Sequence, residues 1–172
     1  AQERGSRGSI YLHSLDGGSQ RILEAEPSGP AWRLEVVAQR SEAQIPVGVR
    51  VGPIMPGLPD HEMPAILKAC GKAGAKFAGY TIIRLPWAVA PLFERWLDEH
   101  FPDRKEKILG RIRTLRGGKR LNDPRWKSRI VGEGIFAEQV ATLFEVSCRR
   151  VGIVPRVQLS TASFRRPREQ PD

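Results

Sequence analysis

The densest group of chemically active side chains lies in GPIMPGLPDHE, residues 52–62. Asp60, His61 and Glu62 place two carboxylates and an imidazole side by side, and such groups can bind a metal ion or transfer protons. They also suit a helix start, with Asp60 as the N-cap and Glu62 in the first turn, and we favour that interpretation. Because the apolar run IPVGVRV precedes the stretch, we also expect a loop at a strand end, a common rim of binding sites.

The two cysteines, Cys70 and Cys148, lie 78 positions apart and on predicted helices. Their positions on or beside apolar helical faces favour packing over metal binding. His13 and His100 are isolated, so no spacing suggests a zinc site. The sequence also lacks a Gly-x-Ser-x-Gly elbow, a P-loop and a Rossmann fingerprint, which gives no support to hydrolase or nucleotidase functions.

The net charge of +9 is carried by the C-terminal part of the chain. Residues 101–172 contain 17 Lys or Arg and 8 Asp or Glu, whereas residues 1–100 contain 11 of each kind. A basic surface of this kind attracts phosphate backbones, although a solvated basic face has the same composition. In PRWKSR an aromatic ring lies among basic residues, where it could stack on an unpaired base or cover a hydrophobic seam. The candidate nucleic-acid-binding residues are Arg113, Arg116, Lys119, Arg120, Arg125, Trp126, Lys127 and Arg129.

Hydrophobic periodicity predicts strands and helices in alternation. Strands are expected at residues 9–15, 45–51 and 76–85, each followed by a helix, at about 31–44, 62–74 and 87–101. Two further helices are expected at about 103–116 and 134–151. The apolar faces expected on the second, third and last helices are, in that order, Met63, Ile66, Leu67 and Cys70; Val89, Leu92, Phe93, Trp96 and Leu97; and Phe136, Val140, Leu143, Phe144 and Ser147 or Cys148. Alternation of this kind predicts an α/β fold with a parallel sheet and right-handed crossovers. Ligands of such folds bind at the carboxyl ends of the strands, where Asp16, the 52–62 loop and RLPW would lie.

Three parallel strands cannot close a barrel and would leave long edges unpaired. We therefore expect strands from elsewhere, or a chain that is a piece of a longer protein, as its first residue Ala1 also suggests. The expected organisation is an α/β segment at 1–102, a basic helical extension at 103–153 and a disordered tail at 154–172.

Two cysteines give no disulfide framework, no apolar run approaches the length of a membrane span, and the first residues lack the apolar stretch of a secretory signal. These observations predict a reducing, cytoplasmic setting without a membrane partner.

Four stretches carry a resemblance to a known family: SLDGGSQRILEAEPSGPAWRLEVV, IPVGVRVGPIMPGLPDHEMPAILKACGKAGA, GYTIIRLPWAVAPLFERWLDEHFPDRKEKILGRIRTLRGGK and RIVGEGIFAEQVATLFEVSCRRVGI. Together they resemble the C-terminal half of a bacterial radical S-adenosylmethionine (SAM) family. That family is related to spore photoproduct lyases and is often labelled DNA-repair-photolyase-like. The resemblance covers roughly residues 10–153, and the run from RLP to RGGK is its most specific part.

The resemblance implies part of a (β/α)6 barrel with about three strand–helix units, followed by C-terminal helices. In this family three cysteines spaced C-x3-C-x2-C hold a four-iron four-sulfur (4Fe-4S) cluster, which cleaves SAM to a 5′-deoxyadenosyl radical. The protein holds the cluster, the cofactor and the substrate in line. By resemblance the cofactor-facing residues would be Ser14, Asp16, Ile54, Met55, Gly57, Tyr80 and Arg84.

The chain also departs from the family pattern, since C-x3-C-x2-C does not occur in it. LEAEPSGP replaces the usual LEPRAPSP, and RVGPIMPG replaces MVAPVIPG. Two hypotheses follow. In the first, the chain is the cofactor- and substrate-side part of a radical SAM enzyme whose N-terminal barrel half is missing, with DNA repair as a candidate role. In the second, it is a non-catalytic basic nucleic-acid-binding module on a decayed scaffold. Binding of SAM would distinguish them.

Overall fold

The computed structural model describes residues 8–17, 28–58, 60–118, 120–126 and 128–155. The three strands are β1 (Gly8–Leu12), β2 (Val47–Ile54) and β3 (Phe77–Ile82). The helices are α1 (Pro30–Glu42), α2 (Met63–Lys72), α3 (Val89–His100), α4 (Lys105–Leu115), α5 (Ser128–Val131) and α6 (Ile135–Val151). Short 3₁₀ turns, Asp60–Glu62 and Pro102–Arg104, precede α2 and α4.

The predicted alternation of strands and helices is confirmed, and α5 is the element that the sequence did not indicate. It is one turn long and follows a run of charged residues without helical periodicity. β1 ends at Leu12, three positions before the predicted end of its strand. α2 ends at Lys72, and Gly74, two residues later, has a φ of 93°. This backbone conformation favours glycine and is common just after a helix.

The sheet is parallel and its strand order, β1-β2-β3, follows the order in the chain. Tyr11 lies level with Arg50, and Arg50 lies level with Gly79 on the third strand. Since parallel crossovers are almost always right-handed, consecutive strands in this order place their connecting helices on one face of the sheet. The α/β class is therefore confirmed, as an open three-stranded sheet rather than a closed barrel.

One face of the sheet, which we call the valine face, forms the centre of the hydrophobic core. Val47, Val49 and Val51 of β2 are at most 2% exposed, and Ile82 of β3 is 1% exposed. Tyr80 on this face contacts the Phe144 ring of α6 at a centroid distance of 4.9 Å. The C-terminal helices thus share one core with the sheet, and Ile108, Leu109, Ile112 and Leu115 of α4 belong to it.

The opposite face, which we call the open face, carries the alternate residues of each strand. Ser9 and Tyr11 are exposed, and Arg50, Gly79 and Thr81 are half-buried. Parallel sheets are normally covered on both faces. On this face the Phe77 ring of β3 occupies the space above Gly48 of β2.

The predicted apolar faces of two helices are only partly buried. On α3, Leu97 is fully buried, but Val89 and Leu92 are 43% and 63% exposed. On α6, Phe144 and Cys148 are buried as predicted, whereas Leu143 is 39% exposed. The first turns of α3 extend past the edge of the core, so helical periodicity alone overestimated its contact surface.

A membrane span would need a long apolar helix, and none of the helices in the described ranges is long and apolar enough.

Candidate functional site

The carboxyl end of β1 is fixed by a contact between Ser14 and Glu62. The buried Ser14 hydroxyl lies 3.0 and 3.1 Å from the two Glu62 carboxylate oxygens, and the Leu15 N–H donates to the same carboxylate at 2.9 Å. Ser14 Oγ also accepts the Asp16 N–H at 2.9 Å. Glu62 therefore joins the end of β1 to the start of α2, and Ser14, predicted to face a cofactor, is engaged within the protein.

The other residues predicted to face a cofactor on β1 and β2 are unequally accessible. The Asp16 side chain is exposed. Ile54 and Met55 are 5% and 4% exposed and belong to the hydrophobic core. Their side chains are therefore not available to a ligand at the surface, although the strand-to-loop position predicted for them is the one observed.

Gly57 lies against α4, which covers the loop after β2. Its φ is 92°, and a Cβ atom on it would lie 3.1 Å from Arg111 Nη1 and 3.5 Å from Ile108 Cγ1. A side chain at this position would be strained and would crowd α4. The glycine is explained by this close approach, whatever ligand the edge binds.

A small cavity lies beneath this edge. Its volume is about 10 Å³, and its lining includes His13, Ile54, Met55, Met63 and Ile66. That volume suits about one water molecule. A nucleoside needs a much larger site, so the described residues do not by themselves enclose a pocket for SAM at this position.

The last two predicted cofactor residues lie on or after β3. Tyr80 points to the valine face, where it packs on Phe144. Arg84 follows the strand and is exposed. Of the seven residues, only Asp16 and Arg84 therefore present exposed side chains, each just beyond the carboxyl end of its strand.

Both cysteines are packing residues, as predicted. Cys70 and Cys148 are each fully buried. Burial raises the pKa of the Cys70 thiol to about 12 and that of Cys148 to about 11. Neutral thiols are poor metal ligands, and within the described ranges no three His, Cys, Asp or Glu side chains come together as a metal site. The 4Fe-4S cluster does not fit this part of the chain.

At residues 60–62 the side chains that the structure describes, His61 and Glu62, take part in no group of metal ligands. His61 is exposed, and Glu62 is bound to Ser14 and Leu15. The capping prediction for Asp60 lies outside the side chains that the structure describes. Glu62 lies at the start of α2, as predicted, without a capping hydrogen bond to the helix; its carboxylate accepts from Ser14 and from the Leu15 N–H instead.

In the basic C-terminal part, Arg116 is a buried structural residue. It is 5% exposed, and its guanidinium donates to the backbone carbonyls of Ile83 and Ser128. Burial lowers its pKa, and Asp123 and Arg84 act on it in opposite directions. Arg116 joins the ends of α4, β3 and α5, and its burial leaves it unavailable to nucleic acid.

Arg125 is neutralised by two carboxylates. It donates to Asp123 at 3.0 and 2.8 Å and to Glu133 at 2.8 Å. The buried Asp123 carboxylate also accepts the Ser128 hydroxyl at 2.6 Å. Hydrogen bonds from Arg125 and then Ser128 hold the pKa of Asp123 well below its ordinary value. This network fixes the connection between α4 and α6. We use the term connection for residues 116–134.

Trp126 lies on the surface of that connection and is 73% exposed. The Arg129 guanidinium stands over its ring at 4.5 Å from the centroid, a favourable cation–π contact. An open cleft of about 400 Å³ adjoins the ring and is lined by Arg125, Trp126, Ser128, Val131, Gly132 and Glu133. Arg129 can hold the indole in place, so that the ring offers a stacking surface.

The remaining predicted nucleic-acid-binding residues are dispersed. Arg113 is half-buried in the last turn of α4, and Arg120 is exposed. Lys119 and Lys127 lie outside the described residues. The structure thus brings Arg125, Trp126 and Arg129 together, whereas the nearby Arg116 is buried and donates to the Ser128 carbonyl.

The sequence did not reveal the tertiary contacts of two notable residues, Glu62 and Arg50. Glu62 was predicted to stabilise α2, and its contact with Ser14 depends on a tertiary fold that sequence spacing does not reveal. Arg50, on the open face, was counted only as part of an apolar strand. A charged residue at an alternate position of IPVGVRV was the available signal.

Comparisons of the chain with models of protein families, with curated proteins and with solved structures find no match.

Proposed function

We propose that this chain is the cofactor- and substrate-side segment of a radical SAM barrel, with the missing strands and the cluster ligands supplied by another part of the protein. The observation that carries the proposal is the sheet: three parallel strands in chain order, with an aliphatic face in the core and a second, polar face. In a (β/α) barrel the helices lie outside and the other face lines the interior.

The main structural alternative is a doubly wound sheet. Such sheets reverse their strand order at a switch point and carry helices on both faces. The order β1-β2-β3 has no reversal within the described residues. The barrel segment accords better with this order, and with the family resemblance of the sequence.

The residues of this chain would support the reaction by position. When bound, the cluster and SAM supply the reductive cleavage of SAM; this chain lacks the ligands for the cluster. Asp16 and Arg84 offer exposed polar groups beyond the ends of β1 and β3. The contact between Ser14 and Glu62 fixes the loop after β1, which carries Asp16. α4 covers the loop after β2 and would keep water from that side.

The proposal is tested on the native protein, purified without oxygen from its own source. Its intact mass, its iron and sulfide content, and its production of 5′-deoxyadenosine from SAM and a reductant should be measured. We expect a longer chain with about four irons per molecule, typical of a 4Fe-4S cluster. A native protein of this length, without iron and without SAM binding, would refute the proposal.

A second function is favoured by one separate observation, the exposed Trp126 ring held by Arg129 in the basic part of the chain. We propose that this pair stacks on an unpaired base, while Arg120 and other exposed cations contact phosphates. This binding is compatible with the enzyme and would also stand without it.

Binding to a labelled single-stranded oligonucleotide, followed by fluorescence anisotropy, tests this second function. Because stacking contributes about 1–3 kcal/mol per base, Trp126→Ala should weaken binding about five- to a hundredfold. Trp32→Ala is the matched control, since Trp32 is 61% exposed but lies on α1. Equal affinity of the two variants would exclude Trp126 as the stacking residue.

A further inference from the structure

The open face of the sheet carries a row of three residues that extends across all three strands. Tyr11 of β1 pairs with Arg50 of β2, and Arg50 pairs with Gly79 of β3. Because residues at one register position project to the same face, the Arg50 side chain lies between an aromatic ring and a glycine. Arg50 and Gly79 lie in the middle of their strands, whereas Tyr11 is one residue from the carboxyl end of β1.

Gly79 gives the Arg50 guanidinium a flat surface. A Cβ atom at position 79 would lie 3.6, 3.7 and 3.8 Å from Arg50 Nη1, Cζ and Nη2. These nearly equal distances mean that the guanidinium plane lies across the glycine. Any side chain larger than alanine would occupy the space that the guanidinium takes.

Tyr11 supports the same group from the other side. Arg50 Cζ is 5.9 Å from the centroid of the Tyr11 ring, near the outer limit of a cation–π contact. The ring is 54% exposed. The guanidinium is therefore positioned by its neighbours before any ligand arrives, which reduces the entropy lost on binding.

The charge of Arg50 is not used within the described part of the chain. Among the described residues, no side-chain hydrogen bond or ion pair involves the Arg50 guanidinium, whereas the Arg116 side chain donates to two carbonyls and that of Arg125 to two carboxylates. A guanidinium has five N–H donors in a fork that matches a carboxylate or phosphate. Thr81, whose hydroxyl lies over Gly52 on the same face, offers another possible donor.

We propose that Arg50, supported by Tyr11 and Gly79, is a binding site for an oxyanion, either a phosphate or a carboxylate, on the open face of the sheet. The guanidinium would bind it through two parallel charge-assisted hydrogen bonds. The site does not require that the chain be a radical SAM segment, and it would remain if that function were excluded. In a barrel, it would lie in the interior and bind an anionic group of the substrate.

The test is a titration of the ¹⁵N-labelled 172-residue chain with inorganic phosphate and, separately, with acetate, at constant ionic strength. We expect the largest amide shifts at Gly79 and Thr81 and on β1 around Tyr11. The ratio of the two dissociation constants distinguishes a phosphate site from a carboxylate site. Shifts confined to α4, α5 and α6 would overturn the proposal, because they would report only the basic C-terminal part.

Three variants separate the site from general charge attraction. Arg50→Met should weaken binding about tenfold or more, since a charge-assisted hydrogen bond is lost. Arg149→Met, which removes an exposed charge on α6, should change it less than about twofold. Gly79→Val keeps the net charge but displaces the guanidinium, and it should weaken binding as Arg50→Met does.

Circular dichroism and melting temperatures establish that each variant is folded. Equal affinities of Arg50→Met and Arg149→Met would overturn the proposal. Unchanged affinity in folded Gly79→Val would also overturn it, because the site depends on the position of the guanidinium and not on charge alone.

Discussion

The sheet with its crossover helices and the connection between α4 and α6 are held together by different forces. The sheet is stabilised by burial of its valine face, where Val47, Val49 and Val51 are almost inaccessible. The connection contains few apolar residues and is fixed by Arg116, Asp123 and Arg125 through charge-assisted hydrogen bonds. Some of the basic side chains, such as Arg116 and Arg125, thus bind groups of the protein itself. The number of basic residues in the sequence therefore overestimates the basic surface that a nucleic acid could contact.

The largest effect is expected from a charge on the valine face. Val49→Asp buries a carboxylate without a partner, and we expect it to lower the free energy of unfolding by more than about 4 kcal/mol. Urea denaturation followed by circular dichroism measures this loss. The matched change Ser9→Asp, on the open face, should cost less than about 0.5 kcal/mol. Similar losses in both variants would contradict the assignment of the two faces.

The next effect concerns the connection. Arg116→Met leaves the carbonyls of Ile83 and Ser128 without their charged donor, and we expect a loss of about 2–4 kcal/mol in urea denaturation. Arg116→Lys should lose less, because a single ammonium replaces only part of the fork. Arg120→Met, at an exposed position, serves as the control. An unchanged stability in Arg116→Met would mean that burial of the methionine replaces the polar contacts.

A smaller effect, dependent on pH, is expected at Asp123. Its pKa in the folded protein is depressed, so its carboxylate stabilises the fold above the ordinary aspartate pKa of about 3.9, and that contribution is lost as the pH falls toward the folded value. Asp123→Asn should therefore melt at a lower temperature than the native chain at neutral pH.

The difference in melting temperature between Asp123→Asn and the native chain should narrow as the pH is lowered below about 4. Asp98→Asn is the control, because Asp98 forms an exposed ion pair with Lys105 and such pairs contribute little. A difference that stays constant over the whole pH range would show that the carboxylate charge is not the cause.

The smallest effect is expected from the hydrogen bond between Ser14, after β1, and Glu62, before α2. Ser14→Ala removes one hydrogen bond to Glu62 while the Leu15 N–H still donates to that carboxylate, so we expect a loss of about 1 kcal/mol. Hydrogen exchange of the Leu15 and Asp16 amides should accelerate. Glu62→Ala should accelerate it further, and equal exchange in native and variant chains would refute the role of this contact.

The sequence predicted the secondary-structure elements and much of the core. Within the described residues, alternating and helical periodicities located the three strands and five of the six helices, because an element that buries one side must repeat its apolar residues at its own period. The buried Met63, Ile66, Leu67 and Cys70 of α2 were predicted for the same reason. α5 could not be predicted from periodicity, because a single turn is too short to establish a period.

Which polar side chains are available to a ligand depends on the tertiary structure. Arg116, Arg125 and Arg129 lie close together in a basic stretch, yet one is buried, one is paired with carboxylates and one supports Trp126. Likewise, Arg50 meets Gly79 only because strands distant in sequence are adjacent in the sheet, and Ser14 meets Glu62 only because the end of β1 lies beside the start of α2. Hydrogen bonds and burial depend on distances between elements, whereas periodicity records only the orientation of residues within one element.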